Sequence, residues 1–112
     1  MSQPRLKSAV YVQALMRRAE SEGAQAYLLR RGAEEAGAVF LKVNRLDGTF
    51  LVLARATHGA EGKLVWTKAL GDAADEAKAT DYFARQIKFD PDIWIIEIED
   101  REGRAFVNEP IV

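Results

Sequence analysis

Cysteine is absent from this 112-residue chain, and histidine occurs only once, as His58. The lack of cysteine excludes disulfides, thiol catalysis and cysteine-based zinc or iron–sulfur sites. A single imidazole excludes any site that needs two histidines from the same chain. The chain is long enough to bury about two-thirds of its unfolded surface, so it needs no covalent or metal staple. No cofactor is predicted.

Long hydrophobic runs are also lacking. No apolar segment approaches the roughly 20 residues that a membrane-spanning helix needs. Residues 1–7 lack the apolar core of a signal peptide. We therefore expect a cytoplasmic protein with no membrane partner. The length is that of one ordinary domain, so residues 1–112 are expected to form a single unit.

The net charge is small, −1, but the two signs are unevenly distributed. Residues 1–55 carry nine Lys/Arg and five Asp/Glu, whereas residues 56–112 carry seven and twelve. The simpler interpretation is that the two halves attract each other within one fold. The alternative is that oppositely charged faces steer a charged partner or a second copy of the protein. Nucleic-acid binders are usually basic, so nucleic acid is an unlikely partner.

An apolar stripe at helical spacing predicts a first helix, formed by Val12, Leu15, Met16 and Ala19. Ser8 is its predicted N-cap, and Gly23 follows its last turn as a natural stop. A second helix is predicted to begin after Thr80, a favourable N-cap. It ends before Pro91, because the residue preceding a proline disfavours helical φ/ψ angles.

Strands are predicted at residues 25–31, 38–44, 50–54, 64–69, 94–99 and 105–107. Asp47-Gly48 is a strong hairpin signal between two of them. Residues 50–54 are apolar on both sides, which is typical of a strand covered on both faces. The fold prediction is therefore α+β, in the order α-β-β-β-β-α-β-β. Two helices cover a mainly antiparallel sheet of about five to six strands in a two-layer arrangement.

Residues spread over nearly the whole chain resemble a known family. They lie at positions 5–8, 17–20, 37–39, 42–44, 66–67, 84–86 and 89–101. The most specific block is Phe-Asp-Pro-Asp-x-Trp-x-x-Glu-Ile-Glu-Asp, at residues 89–100. The chain is similar in these respects to the alphaproteobacterial family called domain of unknown function 1491. The resemblance implies a small single-domain bacterial protein, with no activity and no catalytic residues to carry over.

The acidic residues around this block are the first candidates for chemistry. Asp90, Asp92 and Glu97 offer hard oxygen ligands for Mg²⁺ or Ca²⁺. Arg85, Gln86 and Lys42 could complete a metal or phosphate site, and Trp66 could stack on a ligand ring. The structural alternative for each is simpler. Asp90 starts a turn, Glu97 pairs across the sheet with a basic residue such as Lys42 or Arg30, and both tryptophans, Trp66 and Trp94, pack in the core.

A second set of candidates is basic, and could form a phosphate-binding sheet face: Arg30, Arg31, Lys42, Arg45 and Arg55. Arg30 and Arg31 are adjacent in a strand, so they face opposite sides and the five cannot all converge. A solvated or ion-paired surface is the simpler reading.

These observations favour a non-enzymatic protein-interaction module whose partner is an unidentified protein or a second copy of the chain. Catalytic motifs are missing, the charge is segregated, and a C-terminal hairpin at residues 93–107 would leave an open edge for strand addition. The alternative is a metal- or phosphate-dependent enzyme or ligand-binding domain. A weaker alternative is nucleic-acid binding through the basic N-terminal half.

Overall fold

The computed structural model describes residues 6–112 and confirms the α+β class. Two helices and five strands follow each other in the order α-β-β-β-β-α-β. They are α1 (Ser8–Ser21), β1 (Gln25–Arg30), β2 (Val39–Asn44), β3 (Phe50–His58), β4 (Lys63–Lys68), α2 (Glu76–Phe89) and β5 (Trp94–Glu99). Neither helix is long and apolar enough to cross a membrane.

The five strands form one mixed sheet in the order β1-β5-β2-β3-β4. β2, β3 and β4 are joined by short turns and therefore pair antiparallel. β5 enters after α2 and lies between β1 and β2, antiparallel to β1 and parallel to β2. A helical connection of this kind is what allows two parallel strands to lie side by side.

The predicted two-layer arrangement is wrong in one respect, because the two helices pack on opposite faces of the sheet. Val12 and Leu15 of α1 share a core cluster with Leu41 of β2. Phe83 of α2 shares the other cluster with Phe40, the preceding residue of β2. Successive side chains of a strand point to opposite faces, so strands apolar at both positions need a cover on each side.

The helix ends also differ in part from their predictions. Ser8 is the first residue of α1 rather than its N-cap, and its buried hydroxyl donates to the Gly37 carbonyl at 2.6 Å. α2 begins at Glu76, earlier than Thr80, because the Asp75 carboxylate accepts a hydrogen bond from the Lys78 amide and caps the helix there. Gly23 follows α1 with φ of 93°, as a C′ glycine should.

The predicted last strand at residues 105–107 does not form. Asp100 instead binds the Arg104 amide at 2.8 Å and its guanidinium at 2.9 Å, which curls the chain, and Phe106 takes a positive φ. The chain then runs along the outer edge of β4, where the Trp66 amide donates to the Pro110 carbonyl and the Val112 amide donates to the Trp66 carbonyl. The hairpin expected at residues 93–107 is therefore absent, and β5 is an interior strand without an open edge.

Candidate interaction edge and placement of the predicted site residues

Lys42 and Glu97 are predicted site residues whose side chains the fold brings into an ion pair. They occupy paired positions of the parallel strands β2 and β5. The Lys42 ammonium lies 3.3 Å from the Glu97 carboxylate and 3.2 Å from that of Glu76. Glu97 also accepts a hydrogen bond from the Asn44 side chain. The predicted pairing of Glu97 with Lys42 is confirmed, and both groups have structural partners.

Asp90 and Asp92 lie in the turn between α2 and β5. The Asp90 carboxylate accepts a hydrogen bond from the Asp92 amide, as expected for an aspartate at the start of a turn. The Asp92 carbonyl accepts the Ala33 amide at 2.9 Å. A Cβ at Gly32 or Gly37 would lie only 2.2 or 2.4 Å from that carbonyl oxygen. The turn therefore serves as the docking point for the loop that follows β1.

The remaining predicted site residues lie elsewhere. Arg85 and Gln86 stand near the end of α2, where the Gln86 carbonyl accepts the Asp90 amide. Trp66 is fully buried on the α1 face, as the core interpretation predicted, and so is Trp94. The seven candidates therefore do not converge on one site. Within residues 6–112, no group of three or more His, Cys, Asp or Glu is placed to hold a metal ion.

The five basic candidates are also dispersed. Lys42 is buried in its ion pairs. The Arg31 and Arg55 guanidinium groups lie over the rings of Trp94 and Tyr11, at 5.5 and 4.9 Å from the ring centroids. Arg45 donates to the Asp72 carbonyl. No phosphate-binding face is formed by these five residues.

One polar cluster was missed by the sequence reasoning. Glu109 accepts hydrogen bonds from the Tyr11 hydroxyl at 2.6 Å and the Trp66 indole at 2.9 Å. Burial, and then the neighbouring carboxylate, raise the pKa of Tyr11 above its usual value. Burial also pushes the pKa of Glu109 upward, but its hydrogen bonds outweigh that effect and lower the pKa overall. Tyr11 and Glu109 are 98 residues apart in the sequence, so no local sequence pattern predicts their contact.

A groove of about 1580 Å³ opens beside this cluster. It runs between the start of α1, the tip of the β3–β4 hairpin and the C-terminal segment, and Tyr11, Arg55, His58, Leu64 and Glu109 are among its lining residues. Small-molecule pockets usually measure about 300–1000 Å³. This groove is larger, and open rather than enclosing.

The outer edge of β1 is the most unusual surface of the described residues. β1 ends the sheet, and no strand of residues 6–112 pairs with its outer side. Its central side chains are Tyr27, Leu28 and Leu29, which are 45%, 41% and 51% exposed. By contrast, the other edge strand, β4, is covered by the C-terminal segment. The chain thus closes one edge of its own sheet and leaves the other open.

β1 has few of the features that usually protect an edge strand. Natural edges carry lysines, prolines, bulges or a covering segment. β1 has no lysine or proline, and its protective features are a bulge between Leu28 and Arg30 and the charge of Arg30 at its end. The central residues 26–29 of β1 are uncharged and partly apolar, and an exposed strand segment of this kind is a template for pairing with another chain.

Phe89 is a further exposed apolar side chain, and it precedes the turn that contacts β1. It is the last residue of α2 and is 93% exposed, which is rare for so large an apolar group. The turn that follows it contacts β1, because the Arg30 guanidinium donates to the Pro91 carbonyl at 2.7 Å. We define the β1 edge patch as Tyr27, Leu28 and Leu29.

The comparisons with known proteins agree with the resemblance read from the sequence. A family model described as protein of unknown function (DUF1491) matches residues 6–108. The crystal structure of a DUF1491 family protein from Caulobacter crescentus CB15 is 41% identical, covers 96% of this chain and 100% of its own, and superposes with a TM-score of 0.89. No curated protein matches the chain.

Two solution structures are also similar. The NMR structure of a DUF1491 family protein from Caulobacter crescentus CB15 is 40% identical, with coverage of 98% of this chain and 99% of that one and a TM-score of 0.85. The solution structure of a structural genomics target from A. tumefaciens is 29% identical, with 95% coverage of both chains and a TM-score of 0.78. The predicted alphaproteobacterial relationship is therefore confirmed.

Proposed function

Since this chain belongs to the DUF1491 family, whose function is unknown, we propose its role from its own surface: it is a non-enzymatic protein-interaction module that binds an extended strand at the β1 edge patch. The observation that carries this proposal is the open, partly apolar outer edge of β1.

Strand addition has a clear physical basis at this edge. The backbone N–H and C=O groups that point outward from an edge strand need partners, and an added strand supplies them along its length. The side chains of β1 would then give specificity. Tyr27 is on the face covered by α2 and Leu28 on the face covered by α1, because they pair with Glu97 and Ile96 respectively. An added strand would therefore contact an aromatic group on one face and an aliphatic group on the other.

The test uses one edge variant and one matched control. Leu29→Lys places a charge on the edge, and such charges are how natural edge strands avoid pairing. Val10→Lys is the control, because Val10 is similarly exposed, at 47%, but lies on α1 and not on β1. We expect wild type and Val10→Lys to capture the same proteins from host lysate and Leu29→Lys to lose them. Capture that does not depend on position 29 would contradict the proposal, and so would the absence of any capture by a chain that is itself monomeric.

A second candidate is ligand binding in the groove, and the Tyr11–Glu109 pair within it is the observation that favours this role. It predicts that one member of a panel of divalent metals, nucleotides and phosphate-bearing metabolites raises the unfolding temperature. A ligand at about 100 times its dissociation constant adds roughly 2.7 kcal/mol. The shift should be lost in Arg55→Gln, because Arg55 lines the groove. A panel without any shift would leave the strand-binding proposal as the sole candidate.

A further inference from the structure

We propose that the strand that binds β1 is β1 of a second copy of this chain, paired antiparallel across a twofold axis. This inference rests on the proposed function, because it uses the same open edge. The product would be one continuous sheet of ten strands, five from each copy. Three features of the edge favour a second copy as the partner.

The first feature is complementary size along the strand. A twofold axis through Tyr27 places Ala26 of each copy opposite Leu28 of the other. Both residues are on the α1 face, since they pair with Ile98 and Ile96 of β5. A small side chain thus meets a large one, and the two Tyr27 rings meet at the axis on the α2 face. Neighbouring side chains of an antiparallel pair lie about 5 Å apart, close enough for these contacts.

The second feature is complementary charge. Arg30 stands at one end of β1, and Glu99 is the β5 partner of Gln25 at the other end. Antiparallel pairing brings Arg30 of each copy to the Gln25 end of the other. A twofold axis perpendicular to the sheet keeps the faces matched, so Arg30 and Glu99 meet on the α2 face. Their backbones would be two strand spacings apart, roughly 10 Å, which these two long side chains can span.

The third feature is the present environment of Arg30. Its Nε is buried and has no hydrogen-bond partner among the described residues. A buried donor without a partner is unfavourable, so an acceptor that reaches Nε would stabilise this side chain. A shallow depression of about 320 Å³ at the opposite end of the strand, lined in part by Gly23, Gln25 and Glu99, has room for a guanidinium group from a second copy. Moving there would replace the hydrogen bond of Arg30 to the Pro91 carbonyl by hydrogen bonds to a carboxylate.

The experiment is a charge-exchange series measured by sedimentation equilibrium of the purified full chain. We expect reversible dimers of wild type. Arg30→Glu and Glu99→Arg should each weaken self-association at least about tenfold, because each places like charges at both symmetric contacts. An equimolar mixture of the two variants should dimerise again, since each contact then joins opposite charges. Circular dichroism of each variant verifies folding, and the recovery on mixing requires folded chains.

Wild type that remains monomeric up to the highest soluble concentration overturns this inference. Dimers that the two variants leave unchanged, or that do not return on mixing, also overturn it, because the contact would then lie elsewhere. The strand-binding proposal is tested separately by its position-29 dependence in lysate. A monomer that still captures proteins in an edge-dependent way refutes the second copy alone, whereas a monomer without such capture refutes both.

Discussion

At the residue scale, Lys42 shows how one charge can be held almost out of water. Its ammonium lies between Glu76 and Glu97 and 4.7 Å from the centroid of the Phe50 ring. Two opposite charges and an aromatic face compensate for the water that it loses. A buried pair of this kind contributes little relative to an apolar pair, but breaking it is costly.

Lys42→Met should therefore destabilise the protein by about 3 kcal/mol, because the poorly exposed Glu97 carboxylate would lose its counter-charge. The measurement is the free energy of unfolding in urea. Lys68→Met is the control, since its partner Asp72 is exposed, and such a surface pair is worth less than about 1 kcal/mol. Equal small losses of stability in both variants would show that breaking the buried Lys42 pair costs no more than breaking a surface pair.

Gly32 is required for a steric reason. A Cβ at this position would lie 2.2 Å from the Asp92 carbonyl oxygen and 2.6 Å from the Trp94 ring. Gly32→Ala should then cost about 3 kcal/mol, since inserting an atom into a packed site forces backbone shifts. Thermal unfolding measures this loss. Ala36→Ser is an exposed change in the same loop and serves as the control. It should shift the unfolding midpoint by no more than a degree or two, which corresponds to a stability change of about 0.3 kcal/mol.

At the element scale, the sequence predicted the secondary structure of each segment better than its position in the sheet. The two-sided apolar pattern of β3 predicted cover on both faces, and the structure confirms it. The order of strands in the sheet is set by contacts between distant segments, so nothing local places β5 between β1 and β2. For the same reason β1 could not be identified as the open edge. The Lys42–Glu97 pair was predictable because a charged side chain in an apolar strand is unfavourable unless an opposite charge lies next to it.

The C-terminal segment is held by backbone hydrogen bonds to Trp66 and by the Glu109 carboxylate, and the carboxylate makes its attachment depend on pH. The pKa of Glu109 is lowered in the folded chain by the Tyr11 and Trp66 hydrogen bonds, which outweigh burial. The contribution of Glu109 to the free energy of unfolding is thus fully present at pH values above the ordinary carboxyl pKa of 4.5. It is lost as the pH falls through the lower pKa of the folded chain. The pKa of Tyr11 is raised, so its contribution is present below 10.0 and is lost at higher pH.

Glu109→Gln should cost about 2 kcal/mol at pH 7, the usual worth of a charged hydrogen bond. The difference from wild type should shrink as pH falls below 4.5, because protonation then removes the same charge from the wild-type protein. Unfolding midpoints of both proteins between pH 3 and pH 7 measure this, in steps of about half a unit around the ordinary carboxyl pKa. A constant difference across that range would show that Glu109 does not titrate as its contacts require.

At the scale of the whole molecule, the two ends of the sheet are not equivalent. Within residues 6–112, β4 is covered by the C-terminal segment, while the outer side of β1 has no partner strand. Each copy therefore offers one site for pairing, and the proposed twofold contact uses it on both copies at once. A contact of this kind is closed, because no free edge is left after two copies have met.

In the proposed dimer, the covered β4 edge would prevent the addition of further copies. Without it every copy would have two free edges, and head-to-tail pairing of β1 with β4 would give open-ended filaments. Removing residues 109–112, which include the Pro110 and Val112 contacts to Trp66, should change a dimer of fixed size into assemblies whose light scattering grows with concentration. Scattering of the truncated chain that stays at the dimer value would contradict this. If the scattering of the truncated chain does grow, residues 109–112 set the number of copies in the assembly, a role that needs no catalytic group.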